Sequence, residues 1–102
     1  MVLNQLMLDI YQARKGSFES VPADGWWHNR VAFDLAQQGK MEYTVKDGRL
    51  LRIKDGRILS VADNISYLRI RRQKETPGLL ELQIEAKKDV ILQTYLKIRI
   101  HQ

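Results

Sequence analysis

A chain of 102 residues amounts to one domain, and 44% apolar residues suffice for a single core. There is no cysteine, which excludes disulfides, thiol catalysis and cysteine-type zinc sites. The net charge of +5 is lopsided: residues 1–51 carry six basic and six acidic groups, residues 52–102 eleven and six. A basic half of this kind suits either a polyanion partner or a solvated sheet face with cross-strand ion pairs.

In chain order, Leu3, Leu6, Met7, Ile10 and Ala13 recur at helical spacing, with Asn4, Gln5, Asp9 and Gln12 on the other side. The pattern predicts an amphipathic helix over 2–15, stopped by Gly16 as its C′ residue. It begins without an N-cap, as a helix continuing from a preceding segment would. Residues 16–25 are loop-forming, and Trp26-Trp27-His28 follows. On an extended chain the two indoles point to opposite sides, one toward the core and one toward solvent.

A first strand is predicted over 30–35, a turn at Gln37-Gln38-Gly39-Lys40, and a second strand with Met41, Tyr43 and Val45 inward. Lys-Asp-Gly-Arg then occurs twice, at 46–49 and 54–57, and each copy predicts a tight hairpin turn. Three-residue turns would pair Tyr43 with Leu51, Met41 with Ile53 and Leu51 with Leu59, keeping one face apolar across three strands. After a polar corner at Ala62-Asp63-Asn64, a strand over 65–72 alternates Leu68 and Ile70 with Arg69 and Arg71. A hairpin at Thr76-Pro77-Gly78 would set Arg69 opposite Glu85 and Arg71 opposite Gln83. A last turn at Lys87-Lys88-Asp89 leads to a terminal strand over 92–100. The expected fold is a single α+β domain: an N-terminal amphipathic helix (1–15) packed on one or more antiparallel meander sheets of about six or seven strands in all (29–102), the part from Ile65 onward forming a second meander, pilin-like in layout.

The residues offer little chemistry. His28 and His101 lack partners at metal-ligand spacing, and no phosphate loop, EF-hand loop or nucleophile elbow occurs. The expectation is a protein that is not an enzyme and needs no cofactor or metal. Tyr67, Arg69, Arg71 and Arg72 form a basic, partly aromatic strand face suited to phosphate and stacked bases, which makes a nucleic-acid-binding module the alternative reading.

Four segments, in order, carry a family resemblance. They are Leu6-Met7-Leu8-Asp9-Ile10-Tyr11-Gln12-Ala13; Val31-Ala32-Phe33-Asp34-Leu35 with Gly39 and Tyr43-Thr44-Val45; Gly48-Arg49-Leu50-Leu51-Arg52; and the stretch from Leu59-Ser60-Val61 to Tyr67-Leu68. Together they resemble the soluble part of minor pilins and pseudopilins: PilW-like minor pilins, ComGF-like competence pseudopilins and the J-type pseudopilin of type II secretion. The third segment matches the family pattern displaced by one residue through its extra Leu, and Ile98-Arg99-Ile100-His101-Gln102 departs from the family ending. The resemblance implies a filament subunit that helps initiate or cap assembly of a type IV pilus, competence or type II secretion filament. It also implies a cell-envelope location, an inner-membrane anchor through a helix preceding this chain, and other minor pilins as partners. The expected contact residues are Leu3, Leu6, Trp26, Trp27 and His28, together with an open edge of the sheet.

Overall fold

The computed structural model describes residues 2–14, 16–35, 39–76, 78–86 and 93–99, and the side chains of these except 2–4 and 93–99. One helix, Val2–Tyr11 (α1), precedes seven strands: Arg30–Leu35 (β1), Gly39–Lys46 (β2), Arg49–Lys54 (β3), Arg57–Ala62 (β4), Ile65–Arg72 (β5), Leu79–Ala86 (β6) and Gln93–Arg99 (β7). They form two antiparallel sheets, β1-β2-β3-β4 and β5-β6-β7. This corrects the α+β expectation. Among the described residues the chain is mostly β with one ten-residue helix, and its strands form separate sheets of four and three rather than a helix-covered, pilin-like meander of six or seven.

The split occurs at the corner after β4. Asn64 takes a positive φ of 59°, and the Ile65 N–H donates to the Gly48 carbonyl. The chain therefore turns out of the first sheet, and β5 pairs with β6 rather than with β4. The helix is shorter than predicted for a local reason. Ala13 bridges to Leu35, and the Arg14 N–H donates to the Asp34 carbonyl, so this backbone is drawn along β1 before Gly16 is reached.

Both Asp-Gly turns are two-residue turns. Asp47 and Gly48, like Asp55 and Gly56, all have positive φ, the signature of a type I′ turn. The register is therefore one residue from the predicted one: Tyr43 lies opposite Arg52, Thr44 opposite Leu51 and Arg52 opposite Leu59. A one-residue slip reverses the faces of β3, so Arg52 joins Tyr43 on the inner side and Leu51 and Ile53 go to the outer side, where Ile58 lies opposite Ile53. In the second sheet Arg69 lies opposite Gln83, Arg71 opposite Glu81 and Tyr67 opposite Glu85. The hairpin is centred one residue earlier than predicted, which shifts partners by two and leaves every side chain on its face. The predicted turns at 37–38 and 87–89 fall outside the described residues, as does Pro77.

A single core joins the helix to both sheets. Leu6 and Ile10 of α1 meet Val31, Phe33, Leu35, Met41, Tyr43 and Leu50 of the first sheet and Leu68, Ile70, Leu80, Leu82 and Ile84 of the second. Phe18 and Val21 bring the connecting loop into the same cluster, with Phe18 tilted against Phe33 at 5.2 Å between ring centroids. Asp9, placed on the polar side of the helix by its sequence pattern, is instead buried at 2% exposure.

Candidate functional site

The connection from α1 to β1 is tied down along its length. The Ser20 hydroxyl accepts the Ala32 N–H at 2.8 Å and donates to the Ala32 carbonyl at 3.0 Å. From the end of β5, the Arg72 guanidinium donates to the carbonyls of Phe18 and Val21, each at 2.8 Å. Buried or half-buried anchors at Phe18, Ser20 and Val21 leave little freedom to the middle of a connection that carries no helix or strand of its own.

Residues 24–28 are held as firmly. The Asp24 carboxylate accepts the Trp26 N–H at 2.9 Å and lies 3.2 Å from His28 Nε2. The bond from the Trp26 N–H, with a smaller contribution from His28, holds this carboxyl below its ordinary value against the opposing effect of desolvation. Gly25, at a φ of 77°, donates its N–H to the Arg72 carbonyl, and His28 exchanges both backbone hydrogen bonds with Ile70 at 2.7 and 2.8 Å. Residues 25–28 thus extend the second sheet beyond β5. Alternation along this short extension sends the two tryptophans apart. Trp27 lies under two guanidinium groups, Arg69 at 4.5 Å and Arg71 at 4.3 Å from its ring centroid. Trp26 faces solvent at 73% exposure.

The predicted site residues are therefore dispersed. Leu6 is buried in the core, the Leu3 side chain lies outside the described residues, and His28 is bound into the backbone ladder. Trp27 and Trp26 are the half-buried foundation and the exposed tip of one loop. The basic strand face is engaged internally: Arg69 donates to Gln83 at 2.6 Å, Arg71 to Glu81 at 3.0 Å, and Arg72 to the loop carbonyls. The Tyr67 hydroxyl donates to Glu85 at 2.7 Å, and that bond pushes its phenol above the ordinary value. Glu81, at 4% exposure, also accepts from Gln73 at 2.6 Å. Here guanidinium groups are spent on an indole, carboxylates and carbonyls, which lowers what they can offer a phosphate.

Two features escaped the sequence reading. One is a buried polar cluster: the Asp9 carboxylate accepts from Tyr43 Oη at 2.6 Å, Arg52 Nε at 2.9 Å and Gln5 Nε2 at 2.9 Å. A carboxylate one position before Ile10 on the apolar stripe, and an arginine between Leu51 and Ile53, were the signals that it exists. The other is β4, which is exposed from Arg57 to Ser60 despite the sequence Ile58-Leu59. An open cleft of about 660 Å³ also lies over the outer side of the first sheet, bordered by Arg14, Glu19, Arg30, Asp34, Lys40 and Glu42. It presents both signs of charge, and Arg30 and Glu42 already pair at 2.6 Å. Among the described residues no group of three or more His, Asp or Glu side chains is placed to hold a metal ion, and no helix is long and apolar enough to cross a membrane. No protein-family model, curated protein or solved structure matches this chain.

Proposed function

We propose that this chain is a non-enzymatic protein-binding domain whose contact with its partner is centred on Trp26. The observation that supports this reading is a large, solvent-facing indole on a loop fixed at both ends. Tryptophan is the residue type most enriched at binding hot spots, and one already held in place loses little freedom on docking. Burying the exposed part of such a ring is worth about 3 kcal/mol. Neighbouring Trp27, covered by Arg69 and Arg71, anchors the loop one residue away from the exposed indole.

Within that class the reading we favour is a minor pilin or pseudopilin subunit of a type IV pilus, competence or type II secretion filament, acting in the cell envelope. Its support is the ordered set of sequence segments described above. The partners are then other minor subunits of the same filament. The internal engagement of Arg69, Arg71 and Arg72 gives the nucleic-acid alternative no comparable support.

The test is binding of the purified chain to the soluble domains of minor pilins from the same source organism. Wild-type protein is expected to bind, and Trp26→Ala to lose at least about 30-fold in affinity, the size of a hot-spot truncation. The melting temperature should stay unchanged, since the indole packs on little. Binding by the variant as tight as wild type would remove Trp26 from the interface. Binding to none of the subunits would remove the filament assignment.

A further inference from the structure

The fold closes two of its sheet edges with its own chain and leaves a third open. Along β1, Ala13 bridges to Leu35, the Arg14 N–H takes the Asp34 carbonyl, and the Ser20 hydroxyl satisfies both backbone groups of Ala32. Along β5, Gly25 and His28 do the same work against Arg72 and Ile70. On β4 nothing comparable is found among the described residues, and Ile58 and Leu59 stand 68% and 57% exposed on opposite faces of the strand. Exposed edges are ordinarily guarded by proline, by inward charge or by a bulge. Here the bulge, opposite Leu50 and Leu51, comes only after Ser60, and the first residue, Arg57, is the one charge on the strand.

The backbone defines what can add to this edge. In a hairpin closed by a two-residue type I′ turn, the residues flanking the turn exchange hydrogen bonds, so Arg57 and Leu59 direct their N–H and C=O groups toward β3. Ile58 and Ser60 therefore direct theirs away from the sheet. Two residues with four free groups make a window that is its own complement. If an antiparallel copy is laid against it, Ile58 faces Ser60 of the second copy, Ser60 faces Ile58, and Leu59 meets Leu59 across the two-fold axis.

Charge agrees with this register. The edge is basic at its start, Arg57, and acidic just past its end, Asp63, which is exposed and only loosely paired with Arg49 at 3.6 Å. An antiparallel copy sets Arg57 diagonal to Asp63 of the second copy twice over, within reach of an arginine side chain. A parallel copy would set like against like.

We propose that two copies of this chain pair edge to edge through β4, antiparallel about a two-fold axis at Leu59, joining their first sheets into one eight-stranded sheet. The proposal needs no filament partner and stands apart from the reading centred on Trp26.

Sedimentation velocity of the full chain from about 10 μM to 1 mM, the range in which small interfaces dissociate, is expected to show a shift from one chain to two. Ser60→Pro deletes an N–H that points away from β3, a place where an edge strand tolerates proline, so it should fold normally and stay monomeric throughout. The register has its own readout, because the wild-type chain has no cysteine. Leu59→Cys should form an intermolecular disulfide on mild oxidation, since directly opposed, non-hydrogen-bonded positions bring the Cβ atoms close enough. Ile58→Cys, diagonal to its copy, should cross-link at least about tenfold more slowly. A wild-type protein that remains monomeric at the highest concentration overturns the proposal. So does a dimer that survives Ser60→Pro, or equal cross-linking at the two cysteine positions.

Discussion

Asp9 is the residue on which the position of α1 depends. Burial is the largest single influence on its carboxyl and acts against ionisation, but the bonds from Arg52, Tyr43 and Gln5 together outweigh it and hold the group below its ordinary value of 3.8. Arg52 is held more firmly charged, chiefly by its bond to Asp9, while burial and then the Asp9 bond push the Tyr43 phenol up. Removing Asp9 strips Tyr43 and Gln5 of their acceptor and leaves the Arg52 charge, which keeps only its bond to Tyr43 Oη at 3.1 Å, without a counter-ion. Asp9→Asn should cost about 2–3 kcal/mol, the lower end for a buried pair because Arg52 is partly solvated, and lower the melting temperature by roughly 10–20 °C. The pH dependence follows from the sign of the shift. A carboxyl that titrates lower in the folded state than in the unfolded one contributes fully above the unfolded value and loses that contribution as pH falls through the folded one. The stability gap between wild type and Asp9→Asn should be constant above about pH 5 and close below pH 3.8. A gap unchanged in urea titrations at pH 3 would show that the charge on Asp9 contributes nothing.

At the scale of elements, the β3–β4 turn is packed onto the start of β2. The Asp55 carboxylate accepts the Lys40 N–H at 3.0 Å, and the Asp55 N–H donates to the Lys40 carbonyl at 3.1 Å. Gly39 makes room for this, since a Cβ there would collide with the Asp55 carboxylate and its φ is 84°. Gly39→Ala should cost about 2 kcal/mol, roughly half from the left-handed backbone and half from displaced Asp55. In an Asp55→Gly background the same substitution should cost only about 1 kcal/mol, and a double-mutant cycle measures the difference. Strictly additive costs would show that the collision is relieved without loss. These elements also show what was legible beforehand. The bounds of β1 and the sites of both Asp-Gly turns could be read because alternation and turn chemistry are local signals. The register could not, because it rested on whether Asp47 and Asp55 would themselves adopt positive φ. The inner face is not apolar throughout, because the Asp9 carboxylate, some forty residues earlier in the chain, draws Arg52 to it.

At the scale of the whole molecule, the departure from the expected α+β meander comes from one corner. Residues 62–64 turn the chain out of its first sheet, and the second sheet is then closed onto the shared core by β5, whose outer edge is taken by residues 25–28. Local patterning shows where strands begin and end but carries no term for which strands pair after a corner. The candidate site had the same limit. Trp26 and Trp27 could be assigned opposite directions from alternation alone, but that Arg69 and Arg71 cover Trp27, leaving Trp26 as the exposed tip, depends on a long-range bridge between His28 and Ile70. The fluorescence of Trp26 tests the account most directly. Trp27→Phe keeps an aromatic ring beneath the arginines and leaves Trp26 as the only indole in the chain. Titrated with a partner domain found to bind the wild-type chain, this variant should shift its emission to shorter wavelength in step with complex formation, as the indole leaves water. A complex that forms with no change in that emission would contradict the account.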